Sequence, residues 1–105
     1  MDYLLIYDLV PDYVERRGAF REAHLAMAWS AQASGHLVLA GALANPPDCA
    51  VLHFRADSSS VVEAFAKSDP YVINGLVARW RVREWTTVVG DAAATPVRPQ
   101  ARPSA

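Results

Sequence analysis

Between residues 37 and 55 the chain reads Leu37-Val38-Leu39-Ala40-Gly41-Ala42, then Asn45-Pro46-Pro47-Asp48, then Cys49-Ala50-Val51-Leu52-His53-Phe54-Arg55. The outer runs are rich in β-forming side chains. Two adjacent prolines cannot donate to a central ladder, so the segment predicts a hairpin closed by a loop of several residues. Upstream, Asp12 is placed to cap a helix over residues 13–34, which Gly35 ends. Residues 3–10 precede it as a first strand stopped by Pro11. Downstream, Ser60 with Glu63 has the spacing of a capping box and predicts a short second helix ending near Lys67. Residues 77–89 then predict a long fourth strand.

The order is βαββαβ, and right-handed crossovers put both helices on one side of the sheet. The expected fold is an α+β, ferredoxin-like sandwich. Its strands are apolar on both sides. Tyr3, Leu5 and Tyr7 oppose Leu4 and Ile6, Leu37 and Leu39 oppose Val38 and Ala40, and Trp80 and Trp85 fall on opposite faces. Two helices cover one face only, so the second predicts a homodimer packed sheet to sheet.

Composition narrows the functions. The 105 residues, 52% hydrophobic and 20% charged, suit one globular domain that buries a core without disulfides. A net charge of −1 gives no electrostatic case for nucleic acid or an anionic membrane. A lone cysteine, Cys49, fits a reducing cytoplasm. The first eight residues, Met1 to Asp8, lack a basic region and carry only a short apolar run, so neither a signal peptide nor a membrane anchor is expected. From Asp91 onward the chain is rich in Ala, Pro and Arg without periodicity. That predicts a disordered tail over residues 91–105, with no catalytic role, after an α+β domain at 1–90.

Two residues carry most of the chemistry. His24 lies on the predicted first helix and shares a face with Arg17, Phe20, Met27 and Ala31. A free imidazole titrates at about 6.5, which suits it to acid or base work. Asp69 stands before Pro70-Tyr71 and reads either as the cap of a turn over residues 71–76 or as a carboxylate that orients His24. In this strand order the segment after the second helix can reach the first helix, which leaves both readings open. Arg17 reads as an anion clamp or a solvated helix arginine, and Tyr7 and Tyr71 as pocket-lining or core residues. Cys49 and His53 share a strand face but have no second ligand pair, so no metal is expected. Ser58-Ser59-Ser60 has no Gly-x-Ser-x-Gly frame, and no glycine-rich phosphate loop occurs.

The run Tyr3 to Asp8, with Arg17, Phe20-Arg21, His24-Leu25, Gly35, Leu39-Ala40-Gly41, Asp69-Pro70-Tyr71, Gly75 and a Trp-containing last strand, resembles the YCII-related (YciI-like) family up to Gly90. The resemblance implies a dimeric α/β barrel with a catalytic His–Asp pair beside the sheet, here His24 and Asp69. It also implies a cleft to which Arg17, Tyr7, Gly41 and Tyr71 contribute. Ala40 departs from the Gly-Gly of many relatives, and its methyl would narrow that cleft.

The function expected on this basis is a small cofactor-independent enzyme. It would use the pair for general acid/base chemistry, lyase or dehydrohalogenase-like, on a small polar or aromatic metabolite. The alternative is a non-catalytic module that binds or senses a small molecule in the same cleft, since fold does not decide function. RNA binding through the sheet is set aside. Val51-Leu52-His53-Phe54-Arg55 lacks the glycine and paired aromatics such recognition needs.

Overall fold

The computed structural model describes residues 1–100. Its elements are β1 (Asp2–Leu9), α1 (Tyr13–Arg16), a 3-10 turn (Arg17–Ala19), α2 (Arg21–Ala33), β2 (Leu37–Ala42), β3 (Cys49–Arg55), α3 (Ser59–Ser68), α4 (Pro70–Ile73) and β4 (Val77–Glu84). The fold is α+β: four helices and one four-stranded sheet of order β2-β3-β1-β4, with every pairing antiparallel.

Alternation along β1 decides where the core sits. Tyr3, Leu5, Tyr7 and Leu9 are buried and join Ala28 of α2, Val62, Phe65 and Ala66 of α3, and Tyr71 of α4 in one cluster. Each fully buried Leu, Val or Phe side chain contributes roughly 1.5–3 kcal/mol through apolar transfer. Leu4 and Ile6 point to the opposite face and are half-buried. Their cross-strand partners there are His53 and Val51 on β3 and Arg83 and Arg81 on β4. Trp80 pairs with Tyr7 on the helix side, whereas Trp85 meets His53 on the open side, so the two tryptophans do lie on opposite faces.

Several elements differ from the sequence expectation, each for a local reason. The helix expected over 13–34 is broken into α1, the 3-10 turn and α2. Gly18 has the weakest helix propensity after proline, and Phe20 leaves helical geometry at φ −121° before the chain re-enters a helix. Asp12 makes no side-chain cap to α1, and its carboxylate instead lies 3.8 Å from Arg16. Gly35 does end α2, with a φ of +89° that favours glycine.

The register of β2 shifts between Leu37 and Leu39. Leu37 pairs with buried Phe54 and Leu39 with His53, so the two leucines lie on opposite faces rather than together. The Ser60–Glu63 capping box is absent. Helix α3 starts at Ser59, and its N-cap Ser58 makes no cap bond, its hydroxyl lying 2.6 Å from that of Ser60. Strand β4 ends at Glu84 rather than reaching 89, because its partner β1 begins at Asp2. The last ladder bond runs from Trp85 N–H to the Asp2 carbonyl. Beyond it, residues 91–100 form neither helix nor strand, yet Thr95 N–H bonds the Thr87 carbonyl and Val97 N–H that of Val88. The remainder of the expected tail, 101–105, lies outside the described residues.

Candidate functional site

Asp69 is placed by its neighbours in sequence. Pro70 biases the preceding residue away from helical geometry, and Asp69 is extended (φ −67°, ψ 124°) between α3 and α4. Pro70 occupies the first turn of α4, where its missing N–H costs nothing, and Asp69 caps that helix by accepting from Tyr71 N–H at 3.0 Å. The same oxygen, Oδ1, lies 2.8 Å from Nδ1 of His24. The other, Oδ2, accepts from the Tyr7 hydroxyl at 2.7 Å. Cap and His partner were alternatives for Asp69 in the sequence. The carboxylate does both at once, because it has acceptor capacity for all three donors.

The three groups come from three elements: β1 supplies Tyr7, α2 supplies His24, and the turn into α4 supplies Asp69. Asp69 is fully buried, and the His24 side chain is 15% exposed. The Tyr71 ring stacks on the imidazole at 3.9 Å between centroids and 9° between planes, which fixes its tilt. Tyr13 packs edge-on against Tyr71, and the Arg17 guanidinium sits 5.6 Å from the centre of the Tyr13 ring.

A carboxylate only accepts, so Nδ1 of His24 carries the proton in this pair and Nε2 presents its lone pair. Nε2 has no hydrogen-bond partner among the described residues, and none of their buried polar side-chain atoms is left unpaired. Nε2 is therefore open to solvent. Burial, reinforced by the Asp69 charge, pushes the Tyr7 hydroxyl far above its usual value, so it stays protonated and keeps donating. Burial, ahead of neighbouring Tyr13, pushes Tyr71 up to about 12, with the charges of Arg21 and Arg17 pulling back.

His24 opens onto a cleft of about 500 Å³ between α2 and the β2 side of the sheet. All the residues expected at a site line it except Asp69, which stands behind the imidazole: Arg17, Tyr7, His24, Gly41 and Tyr71. The Tyr7 hydroxyl donates to Asp69 rather than into the cleft. Ala40 lines the cleft as expected, and a Cβ added to Gly41 would meet nothing within 4 Å. Sequence reading missed Arg21 and Trp29. Both lie on helix turns adjacent to His24 (21→24→25→29), a spacing that marks them once the cleft is known to follow this side of α2.

A second His–carboxylate contact lies on the opposite sheet face and was not read from the sequence. Buried Asp2 takes His53 Nε2 at 2.6 Å, Arg55 Nε at 3.0 Å and the Thr87 hydroxyl at 3.1 Å. Burial pushes the Asp2 carboxyl up, but these bonds and the Arg55 charge outweigh it and hold it below 3.8. Arg55 also donates to the Ala92 carbonyl at 2.6 Å, which ties the segment after β4 to the sheet. Among the described residues, no group of three or more His, Cys, Asp or Glu side chains could hold a metal ion, and no helix is long and apolar enough to cross a membrane.

Residues 1–86 match the YCII-related domain family. The chain belongs to that family. The resemblance read from the Asp-Pro-Tyr segment and the His-bearing helix is thereby shown. No curated protein matches the sequence. Among solved structures, the chain is similar to 5-chloro-2-hydroxyhydroquinone dehydrochlorinase (TftG) from Burkholderia phenoliruptrix AC1100, in complex with 2,5-dihydroxybenzoquinone. The TM-score is 0.72 at 23% identity, covering 83% of this chain and 95% of the other. At that identity the likeness speaks for the fold.

Proposed function

We propose that this YCII-related protein is a small cofactor-independent enzyme that moves protons with His24, oriented by Asp69. The observation that carries the reading is the 2.8 Å contact from Nδ1 to a buried carboxylate, with Nε2 left open to the cleft. In this arrangement Nε2 takes a proton from a bound substrate, and Asp69 stabilises the resulting imidazolium. Removal of that proton allows a leaving group on the substrate to depart with its bonding electrons, and the imidazolium can return the proton to it. The related dehydrochlorinase acts on a chlorinated hydroxyhydroquinone. Lyase chemistry on a small polar or aromatic metabolite, dehydrohalogenation included, is the class that suits this pair. Arg17 and Tyr71 contact the substrate, the backbone at Gly41 forms part of the wall beside it, and Tyr7 holds Asp69.

The reading extends to assembly. Strand order β2-β3-β1-β4 with the helices on one face supports a ferredoxin-like layer, and the half-buried Leu4 and Ile6 support a partner copy on the other, as in a dimeric α/β barrel. Cys49 as the one cysteine fits the cytoplasm. The segment after Gly90 takes no part in the chemistry.

The test is an unbiased screen of small metabolites, with a chlorinated hydroquinone included, reading both binding and product. With a substrate found, His24→Ala is expected to lose about 10²–10⁴-fold in kcat while still binding it. Asp69→Asn, which offers the wrong partner to Nδ1, should fall by a similar order. Binding without turnover in the unmodified protein would favour a sensing module. Turnover that survives His24→Ala would overturn the mechanism.

A further inference from the structure

The residues lining the cleft include two arginines and one histidine but no aspartate or glutamate, in a chain whose net charge is −1. Among the described residues neither Arg17 nor Arg21 has a carboxylate within 4 Å, although Arg16, Arg55, Arg79 and Arg81 all do. The carboxylate behind the imidazole, Asp69, is fully buried and occupied by three donors. The cationic residues also cluster by position. Arg17 belongs to the 3-10 turn and Arg21 opens α2, four residues on, so both sit at the end of the cleft before His24. The charges of both reach the hydroxyl of Tyr71, whose ring stacks on His24. Past His24 the lining is mostly apolar, with Leu25, Ala28 and Trp29 on α2 and Val38, Ala40 and Ala42 on β2, and Gln32 is its one polar side chain on that stretch of α2. Trp29 is 67% exposed, an indole that folding leaves uncovered.

We propose that the cleft takes a small organic anion, its negative group held by Arg17 and Arg21 and its apolar body resting between Trp29 and β2. Two unpaired guanidiniums can share one carboxylate or phenolate through charge-assisted bonds. His24 lies between the two ends, so the bond it acts on is the one next to the anionic group. Arg21 and Trp29 thereby become specificity-determining residues. The proposal rests on the catalytic reading only for the place of His24. Charge preference is a property of binding and is measured without turnover.

The experiment compares benzoate with benzamide, which has the same shape without the charge, by two-dimensional NMR titration of the isotope-labelled full chain at neutral pH. Benzoate is expected to shift the ring signals of His24 and Trp29 and to bind about tenfold more tightly than benzamide. Arg21→Gln and Arg17→Gln should each remove most of that preference, Arg21→Lys should keep part of it, and added salt should narrow it in the unmodified protein. Equal binding of the two probes overturns the proposal, as does a preference unchanged in Arg21→Gln or the absence of saturable shifts with either probe at millimolar concentration. His24→Ala separates the two ideas. Retained benzoate preference there supports the anion site even if no proton-transfer activity is ever found, and its loss with an intact fold counts against the arginine pair.

Discussion

The two carboxylate oxygens of Asp69 serve three donors from three parts of the chain. Its carboxylate caps α4, fixes the His24 ring and accepts the Tyr7 hydroxyl, all without exposure to solvent. Tyr7→Phe removes one donor and leaves a buried oxygen short of a partner, which should cost about 1–3 kcal/mol. Urea unfolding of variant and parent reads this directly, and identical midpoints would mean that water replaces the hydroxyl. Asp2 supports a pH prediction. Its folded value lies below the unfolded one, so the stability it contributes is complete above pH 3.8 and is lost as pH falls through the folded value. Asp2→Asn should therefore be less stable than the parent at neutral pH, with the gap closing below 3.8. Denaturation midpoints measured down the acid range should converge. A constant gap would remove the carboxylate's charge from the explanation.

At the scale of elements, the break between α1 and α2 decides where Arg17 goes. A continuous helix would carry it on the His24 stripe, whereas the 3-10 turn leaves it over Tyr13 at the cleft end. The α4 end depends on Gly75, whose φ of +76° favours glycine. Gly75→Ala should cost about 1–2 kcal/mol, while Gly41→Ala, with open space around the added carbon and no positive φ, should leave stability nearly unchanged. Thermal melts of the two variants side by side check the contrast. Periodicity over 13–34 indicated helix correctly along most of its length, but a single glycine among good helix formers does not reveal a break. The bulge in β2 was equally hidden, since one extra residue changes which side chains face the core without changing composition.

At the scale of the molecule, the open face of the sheet is the feature that asks for a partner. Leu39, Val51, Ile6 and Leu4 lie on it beside Arg81 and Arg83, and Leu39 is 74% exposed. Sedimentation at micromolar concentration should give twice the monomer mass. Ile6→Lys or Leu39→Lys should yield a folded monomer, whereas Leu5→Asp, aimed into the helix-covered core, should unfold the chain. A monomeric parent protein would end the dimer proposal. The expected helix-covered core and the opposed faces of β1 were legible from alternation alone. Which face the helices choose was not, because both alternating sets of β1 are apolar.

What the sequence by itself determined is local and periodic. Proline and glycine punctuate the strands, alternation marks β1, and Asp-Pro-Tyr prescribes an extended residue followed by a capped turn. Those preferences act within a few residues and need no knowledge of the rest of the chain. Only the tertiary structure decided that Asp69 meets His24 and Tyr7, that Arg17 and Arg21 share one end of a cleft free of acidic side chains, and that Asp2 ties the segment after β4 to the sheet. Each of these joins residues on different elements. Their meeting depends on the rotation and register with which helices and strands pack, and that is set by the whole core at once.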